Sequence, residues 1–108
     1  SKADPMPEEK RIRSEDLETG QIEDTGECGK SIACENAPIV CYSCFRFRPC
    51  WDADHSINFK IVQREIDDME KRGKPFEQMV SRAIRAKNRI ILVMNASDRF
   101  RDAIQQAE

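Results

Sequence analysis

Five cysteines and the chain's single histidine cluster in the middle of this 108-residue sequence, in a spacing typical of metal ligands. They are Cys28, Cys34, Cys41, Cys44 and Cys50, followed by His55. Two residues separate Cys41 from Cys44, and this spacing lets two thiolates take adjacent corners of a zinc tetrahedron. Thiolates favour zinc or an iron–sulfur cluster over magnesium or calcium. The pattern therefore predicts a structural metal site, with zinc as the first choice.

The spacing alone does not decide which residues would supply the remaining ligands of a four-coordinate site. Cys28 with Cys34 is the preferred pair, because Gly26 and Gly29 allow the tight backbone that such a loop needs. Cys50 and His55 are the second choices, and His55 next to Asp54 also suits the start of a helix. The odd number of cysteines disfavours a disulfide framework, and a redox dithiol normally opens a helix after a strand. Buried thiols without metal are the other alternative.

The elements that would position these residues differ between the two halves of the chain. Upstream, the Glu18-Thr19-Gly20 turn between Leu17 and Ile22 predicts a short β-hairpin. Downstream, one helix is predicted from the apolar spacing of Phe59, Val62, Ile66 and Met69, with Asp54 or Ser56 as N-cap and an end at Gly73. A second helix begins near Pro75 and carries one apolar face: Phe76, Val80, Ala83, the Lys87 stem, Ile91, Met94, Phe100 and Ile104.

These patterns predict a mainly α fold, in which a small cysteine-rich region with a short β-hairpin precedes an α-helical hairpin. Residues 1–13 contain two prolines and no periodic apolar pattern, so we interpret them as a linker or flexible tail. Residues 14–108 form one domain: hairpin and metal-binding loop over 14–51, helical hairpin over 54–105, with a break near residue 88. No stretch approaches the ~20 apolar residues that span a bilayer, and the start lacks the apolar core of a secretory signal. We expect a cytoplasmic protein with no membrane partner.

The net charge of −2 conceals a strong asymmetry along the chain. Residues 71–101 hold nine basic side chains against Glu77 and Asp98, whereas residues 1–35 carry a net charge of −5. Arg82, Arg85 and Arg89 would form one helical stripe suited to phosphate contacts. Arg46 and Arg48 alternate with Phe45 and Phe47, which indicates a second basic surface. The alternative for both surfaces is a solvated face with no ligand.

The cysteine region resembles a pattern near the C-terminus of bacterial integrases of the tyrosine recombinase class. The resemblance rests on Thr25-Gly-Glu-Cys28-Gly29 and Cys34, then on Pro38-Ile-Val-Cys41-Tyr-Ser-Cys44-Phe-Arg-Phe-Arg-Pro49-Cys-Trp51 and Asp54-His55. It covers about residues 16–70. It implies a parent protein that cuts and rejoins DNA, and it carries over Cys28, Cys34, Cys41 and Cys44 as metal ligands.

The resemblance transfers no catalytic residue, because the family needs two arginines, a His-x-x-Arg element and a later tyrosine. Here Ser-Ile-Asn follows His55, and no tyrosine comes after it. We therefore expect a non-catalytic, zinc-stabilised accessory module of an integrase, which serves in DNA contact or in assembly with other recombinase subunits. The alternative is a protein–protein interaction or dimerisation domain with a structural zinc site and no DNA role. The oligomeric state stays open.

Overall fold

The computed structural model describes residues 11–28, 37–44, 46–73 and 76–107. Three antiparallel strands form a sheet in the order β1 (Arg11–Glu15), β2 (Ile22–Cys28) and β3 (Phe47–Pro49). A short 3₁₀ turn, Val40–Ser43, precedes β3, and two helices follow it, α1 (Ser56–Arg72) and α2 (Glu77–Ala107). The fold is mixed with helices predominating, so the helical hairpin and the short β-hairpin are confirmed. The described part of the expected cysteine loop contains the 3₁₀ turn and the third strand.

Strand β1 begins at Arg11, so residues 11–13 belong to the sheet and not to the predicted tail. The hairpin turn after it is built on Asp16, whose carboxylate accepts the backbone N–H of Glu18 at 2.9 Å. Gly20 has a φ of 78°, a conformation that glycine adopts without the steric cost of a Cβ. Lys60 of α1 pairs with the Asp16 carboxylate, which holds the hairpin against the first helix.

A β-bulge in β2 turns Thr25 into the interior. Ile12 pairs with Gly26 but Arg13 pairs with Asp24, so Thr25 has no residue opposite it in β1. The Thr25 side chain is fully buried, and its hydroxyl donates to the carbonyl of Ile12 at 3.1 Å. Because that bond uses its one proton, the Ser14 hydroxyl, 2.8 Å away, donates to Thr25. The bulge thus places the hydroxyls of Thr25 and Ser14 in the interior, where each takes part in a hydrogen bond.

Helix α1 ends at the predicted residue, since Gly73 after Arg72 has a φ of 87°. Its N-cap is His55, which makes no side-chain capping bond, so the prediction of Asp54 or Ser56 as N-cap is wrong. Asp54 lies one residue earlier, and its Oδ1 accepts the backbone N–H of Ser56 at 3.1 Å. Helix α2 is one continuous helix of 31 residues, so the predicted break near Asn88 is wrong. The apolar run from residue 90 to residue 94 is helical, as its lack of flanking turn residues indicated.

The core lies where the helical hairpin packs against the 3₁₀ turn. Its buried members are Tyr42, Val62, Ile66, Ala83 and Ile90, with Phe59, Met69, Val93 and Met94 packed around them. The predicted apolar face of α1 is confirmed. On α2 the prediction was partly wrong, because Ile90 is fully buried where Ile91 was expected, and Phe100 and Ile104 are 43% and 45% exposed. Helix α1 has 17 residues against 31 in α2, so it is too short to cover the far end of its neighbour.

Candidate functional site

Three buried side chains, Tyr42, His55 and Asn58, form a hydrogen-bonded network. Tyr42 comes from the 3₁₀ turn, His55 immediately precedes α1, and Asn58 lies in its first turn. Their exposed fractions are 6%, 2% and 0%. The Tyr42 hydroxyl lies 2.7 Å from His55 Nδ1 and 2.8 Å from Asn58 Nδ2.

The protons of this network are fixed by one backbone carbonyl. His55 Nε2 lies 2.7 Å from the carbonyl oxygen of Cys50, which can only accept, so Nε2 carries the proton. In the neutral imidazole, Nδ1 is then an acceptor, and the Tyr42 hydroxyl donates to it. The Asn58 amide donates in turn to the Tyr42 oxygen. The network therefore runs in one direction, from Asn58 through Tyr42 and His55 to the Cys50 carbonyl.

Burial shifts the pKa values of Tyr42 and His55 in the directions that favour their uncharged forms. Desolvation raises the pKa of Tyr42 to about 12, although the Asn58 hydrogen bond opposes the shift. Desolvation also lowers the pKa of His55, with a smaller contribution from the Arg101 charge, while the hydrogen bond to Cys50 opposes it. A neutral phenol and a neutral imidazole suit this arrangement to holding the 3₁₀ turn on α1.

The four described cysteines lie around this network, but not at one point. Cys28, at the end of β2, and Cys41, in the 3₁₀ turn, are buried in the same cluster with Ile12. Cys44 is half-buried and its N–H donates to the carbonyl of Cys41 at 2.9 Å, which closes the Cys41–Cys44 turn. Cys34, the fourth predicted ligand, lies outside the described residues. The fold thus brings Cys28 and Cys41 into one buried cluster.

Cys50 and His55 are placed differently from that set. The backbone N–H of Cys50 donates to Thr25, and burial, with nearby Asp52, Asp24 and Glu27, raises the pKa of its thiol. Both ring nitrogens of His55 already have hydrogen-bond partners. Within residues 11–28, 37–44, 46–73 and 76–107, no group of three or more His, Cys, Asp or Glu side chains is arranged to hold a metal ion, and no disulfide joins Cys28, Cys41, Cys44 and Cys50.

The predicted basic residues occupy two separate elements. Arg82, Arg85 and Arg89 are exposed along α2, and within the described ranges none of them forms an ion pair. Arg46 and Arg48 are exposed at β3, where the ring of Phe47 points inward on Tyr42 at a centroid distance of 4.9 Å. Phe47 and Arg48 thus lie on opposite faces of β3, as the alternation predicts, whereas Phe45 lies outside the described residues.

Sequence reasoning missed Tyr42 and Asn58 as a pair. A signal for Asn58 was present, because it precedes Val62 and Ile66 at a spacing of four residues and so lies on the buried face of α1. A polar side chain on such a face must find a hydrogen-bond partner. Its partner came from the cysteine region, which no local pattern in the sequence connects to it.

Comparison with known proteins adds no relative: no family model, no curated protein and no solved structure matches this chain. Among the described residues, no helix has the length and apolar character needed to cross a membrane.

Proposed function

We propose that this chain is a non-catalytic accessory module of a DNA integrase of the tyrosine recombinase class, which contacts DNA through α2. The observation that carries the proposal is the stripe formed by Arg82, Arg85 and Arg89. All three are exposed on one side of a helix, and no acidic side chain of the described ranges neutralises them. Unpaired arginines can neutralise DNA phosphates, which releases the counterions condensed on the DNA.

The contrast with the other arginines of the chain supports this assignment. Arg13, Arg64 and Arg72 are exposed to a similar degree, but each is paired with a carboxylate. The carboxylates are Asp24 at 3.3 Å, Glu18 at 2.8 Å and Asp68 at 3.1 Å. The positive charge of the three α2 arginines is therefore not offset by a paired carboxylate, and a phosphate backbone is a partner that complements it.

In this proposal, zinc would stabilise the module and take no part in chemistry. Cys28, Cys41 and Cys44 would hold it together with Cys34, and the shared cluster of Cys28 and Cys41 supports this set. A closed site of four cysteines supplies folding free energy to a domain with a small core. The buried Tyr42–His55–Asn58 network serves the same end, since it fixes the cysteine turn against the helical hairpin.

Salt-titrated binding to duplex DNA tests the DNA role. We expect wild-type protein to bind a fluorescent duplex at about 50 mM salt, with affinity falling steeply towards about 200 mM. The Arg82→Ala/Arg85→Ala/Arg89→Ala variant should reduce the slope of log affinity against log salt by about 2.7, or about 0.9 for each lost phosphate contact.

The matched control is Arg13→Ala/Arg64→Ala/Arg72→Ala, which removes the same charge from arginines that are already paired. It should leave the slope within about 0.5 of wild type. Absence of binding at low salt, or an equal loss in the two triple variants, would overturn the DNA role.

The alternative function, a protein–protein interaction module without a DNA role, is favoured by a different part of α2. Leu92, Phe100 and Ile104 are 60%, 43% and 45% exposed. Exposed apolar side chains grouped on one helix are a common mark of an interaction surface. This alternative predicts association between proteins that is unaffected by the loss of the three α2 arginines.

A further inference from the structure

Helix α2 carries no acidic side chain over the long segment from residue 78 to residue 97. Between Glu77 and Asp98 the sequence holds four basic residues and no aspartate or glutamate. At a rise of 1.5 Å per residue, this segment is about 30 Å long. A polyanion lying along its exposed side would therefore meet cations and no carboxylate.

Two exposed amide side chains lie on this segment. Asn95 follows Asn88 by seven residues, so both lie on the same side of α2, about 10 Å apart along its axis. Both are exposed, and neither amide is hydrogen-bonded to another residue in the part of the chain that the structure describes. The amides of Gln21, Asn58 and Gln63, by contrast, all donate to other side chains. The two α2 amides are therefore available to a ligand.

Asparagine is an unfavourable residue for the middle of an exposed helix face. It forms helix less readily than alanine, lysine or glutamine, because its short side chain competes for backbone hydrogen bonds. Neither Asn88 nor Asn95 caps an end of α2, which runs from Glu77 to Ala107. Residues that oppose the local structure without a return in packing are expected at binding sites. A role in binding would account for both positions.

The side chains around the two amides suit contact with a nucleic acid. Leu92 lies between Asn88 and Asn95 and is 60% exposed. Arg85 lies three residues before Asn88, and Arg99 lies four residues after Asn95, so each amide has an exposed arginine one turn away. Within the described ranges, neither arginine forms an ion pair. This surface combines cations that can hold phosphate with polar and apolar groups that can meet a base edge.

We propose that α2 enters the major groove of duplex DNA and that Asn88 and Asn95 read adenines there as specificity-determining residues. The inference rests on the DNA role proposed above and adds sequence recognition to it. The major groove is about 12 Å wide and admits an α-helix, and an asparagine amide matches the N6 and N7 positions of adenine.

The spacing of the two amides predicts the spacing of the bases. Their separation of about 10 Å corresponds to about three base pairs at 3.4 Å each. Leu92, which lies between them, would meet the methyl group of an intervening thymine. The predicted site therefore contains two A·T pairs about three positions apart, while the arginines hold the flanking phosphates.

Selection by the full chain from a pool of DNA duplexes with a randomised centre tests this readout. We expect enrichment of two A·T pairs about three positions apart. The selected duplex should bind at least about tenfold more tightly than one in which both pairs are changed to G·C. An RNA duplex of the selected sequence should show no such preference, because its deep and narrow major groove excludes a helix.

Single substitutions separate base readout from phosphate contact. Asn88→Ala and Asn95→Ala should each remove the preference at one of the two positions and leave the slope of log affinity against log salt unchanged. Arg85→Ala should lower that slope by about 0.9 and keep the preference. Alanine is the better helix former, so a preference lost in the two alanine variants cannot come from a weakened helix. Asn88→Gln should retain adenine, whereas Gln63→Ala, a matched amide control on α1, should change neither readout.

The possible failures of this inference and of the DNA role are distinguishable. Salt-dependent binding without any sequence preference would overturn the inference and leave the phosphate contacts of α2 intact. A preference that survives both Asn88→Ala and Asn95→Ala would overturn it as well. Absence of binding at about 50 mM salt would remove the DNA role and the sequence readout together.

Discussion

The hydroxyl of Tyr42 lies 2.7 Å from Nδ1 of His55, and this contact joins the cysteine-rich turn to the start of the helical hairpin. The two rings meet edge to face at a centroid distance of 5.7 Å. Because His55 also donates to the carbonyl of Cys50, one imidazole fixes two points of the intervening chain. This buried network therefore helps to hold the cysteine-rich turn on the start of α1.

Tyr42→Phe should destabilise the protein by about 1–3 kcal/mol, because it leaves His55 Nδ1 and Asn58 Nδ2 buried without their partner. The phenyl ring keeps its place in the core, so the loss is that of the hydroxyl alone. Urea unfolding followed by circular dichroism measures it. Ser43→Ala, at an exposed position of the same turn, is the control and should change the free energy of unfolding by less than about 0.5 kcal/mol. Equal stability of Tyr42→Phe and wild type would contradict the role of the network.

Stability should fall as the pH drops below the ordinary histidine pKa of 6.5. The folded state holds the pKa of His55 below that value, so the unfolded chain binds more protons in this range, and acid favours unfolding. Above pH 6.5 the imidazole is neutral in both states, and this contribution is fully present. Protonation would also convert Nδ1 into a donor facing the Tyr42 hydroxyl, which would have to turn away.

The single histidine makes this prediction directly measurable, since ¹⁵N NMR of the imidazole gives one unambiguous titration. We expect a pKa below 6.5 and a shift pattern with the proton on Nε2. The carboxyls of Asp16 and Asp54 also have lowered pKa values, chiefly through hydrogen bonds from Lys60 and Ser56, but they lose their contributions at lower pH, below about 3.8. A His55 pKa at or above 6.5 would show that the imidazole is solvated or charged in the fold.

Gly26→Ala should destabilise the protein by about 1–3 kcal/mol through overpacking. A Cβ at this position would lie 2.2 Å from the ring of Phe47 and 2.8 Å from the carbonyl oxygen of Arg48. Thermal unfolding measures the loss of stability in the Gly26→Ala variant. Phe47→Leu combined with Gly26→Ala should cost less than the sum of the two single changes, because the smaller side chain makes room for the methyl group.

Gly20→Ala is the contrasting control for Gly26→Ala. A Cβ added at residue 20 would meet no other atom, but the φ of Gly20 is 78°. Asn should be tolerated at residue 20, where the requirement is a left-handed backbone, and not at residue 26, where it is space. Full additivity of Gly26→Ala and Phe47→Leu would argue against the steric account.

Purified protein should contain about one equivalent of zinc if Cys28, Cys34, Cys41 and Cys44 form a structural site. Chelation should lower the melting temperature, because metal-binding free energy is part of the folding free energy. Cys44→Ser should reduce the zinc content, whereas Cys50→Ser, which alters a thiol outside the preferred set, should retain it. Less than about a tenth of an equivalent of zinc or iron in wild type would exclude the site.

The sequence alone determined the local elements of this protein. The spacing of Phe59, Val62 and Ile66 predicted α1, Gly73 predicted its end, and the Glu18–Gly20 turn predicted the hairpin. Each of these depends on residues within a few positions of one another, and backbone geometry repeats over that range.

Tertiary structure decided which of these residues are buried, and what they meet. Ile90 and Ile91 belong to one apolar run, and periodicity could not choose between them; packing against α1 buried Ile90. Phe100 fits the helical period equally well, yet it stays exposed because α1 does not extend that far. Tyr42 and Asn58 are 16 residues apart, and only the fold brings their polar atoms to 2.8 Å. Burial and hydrogen-bond satisfaction are properties of a pair of elements, so a pattern read along one element specifies only half of each contact.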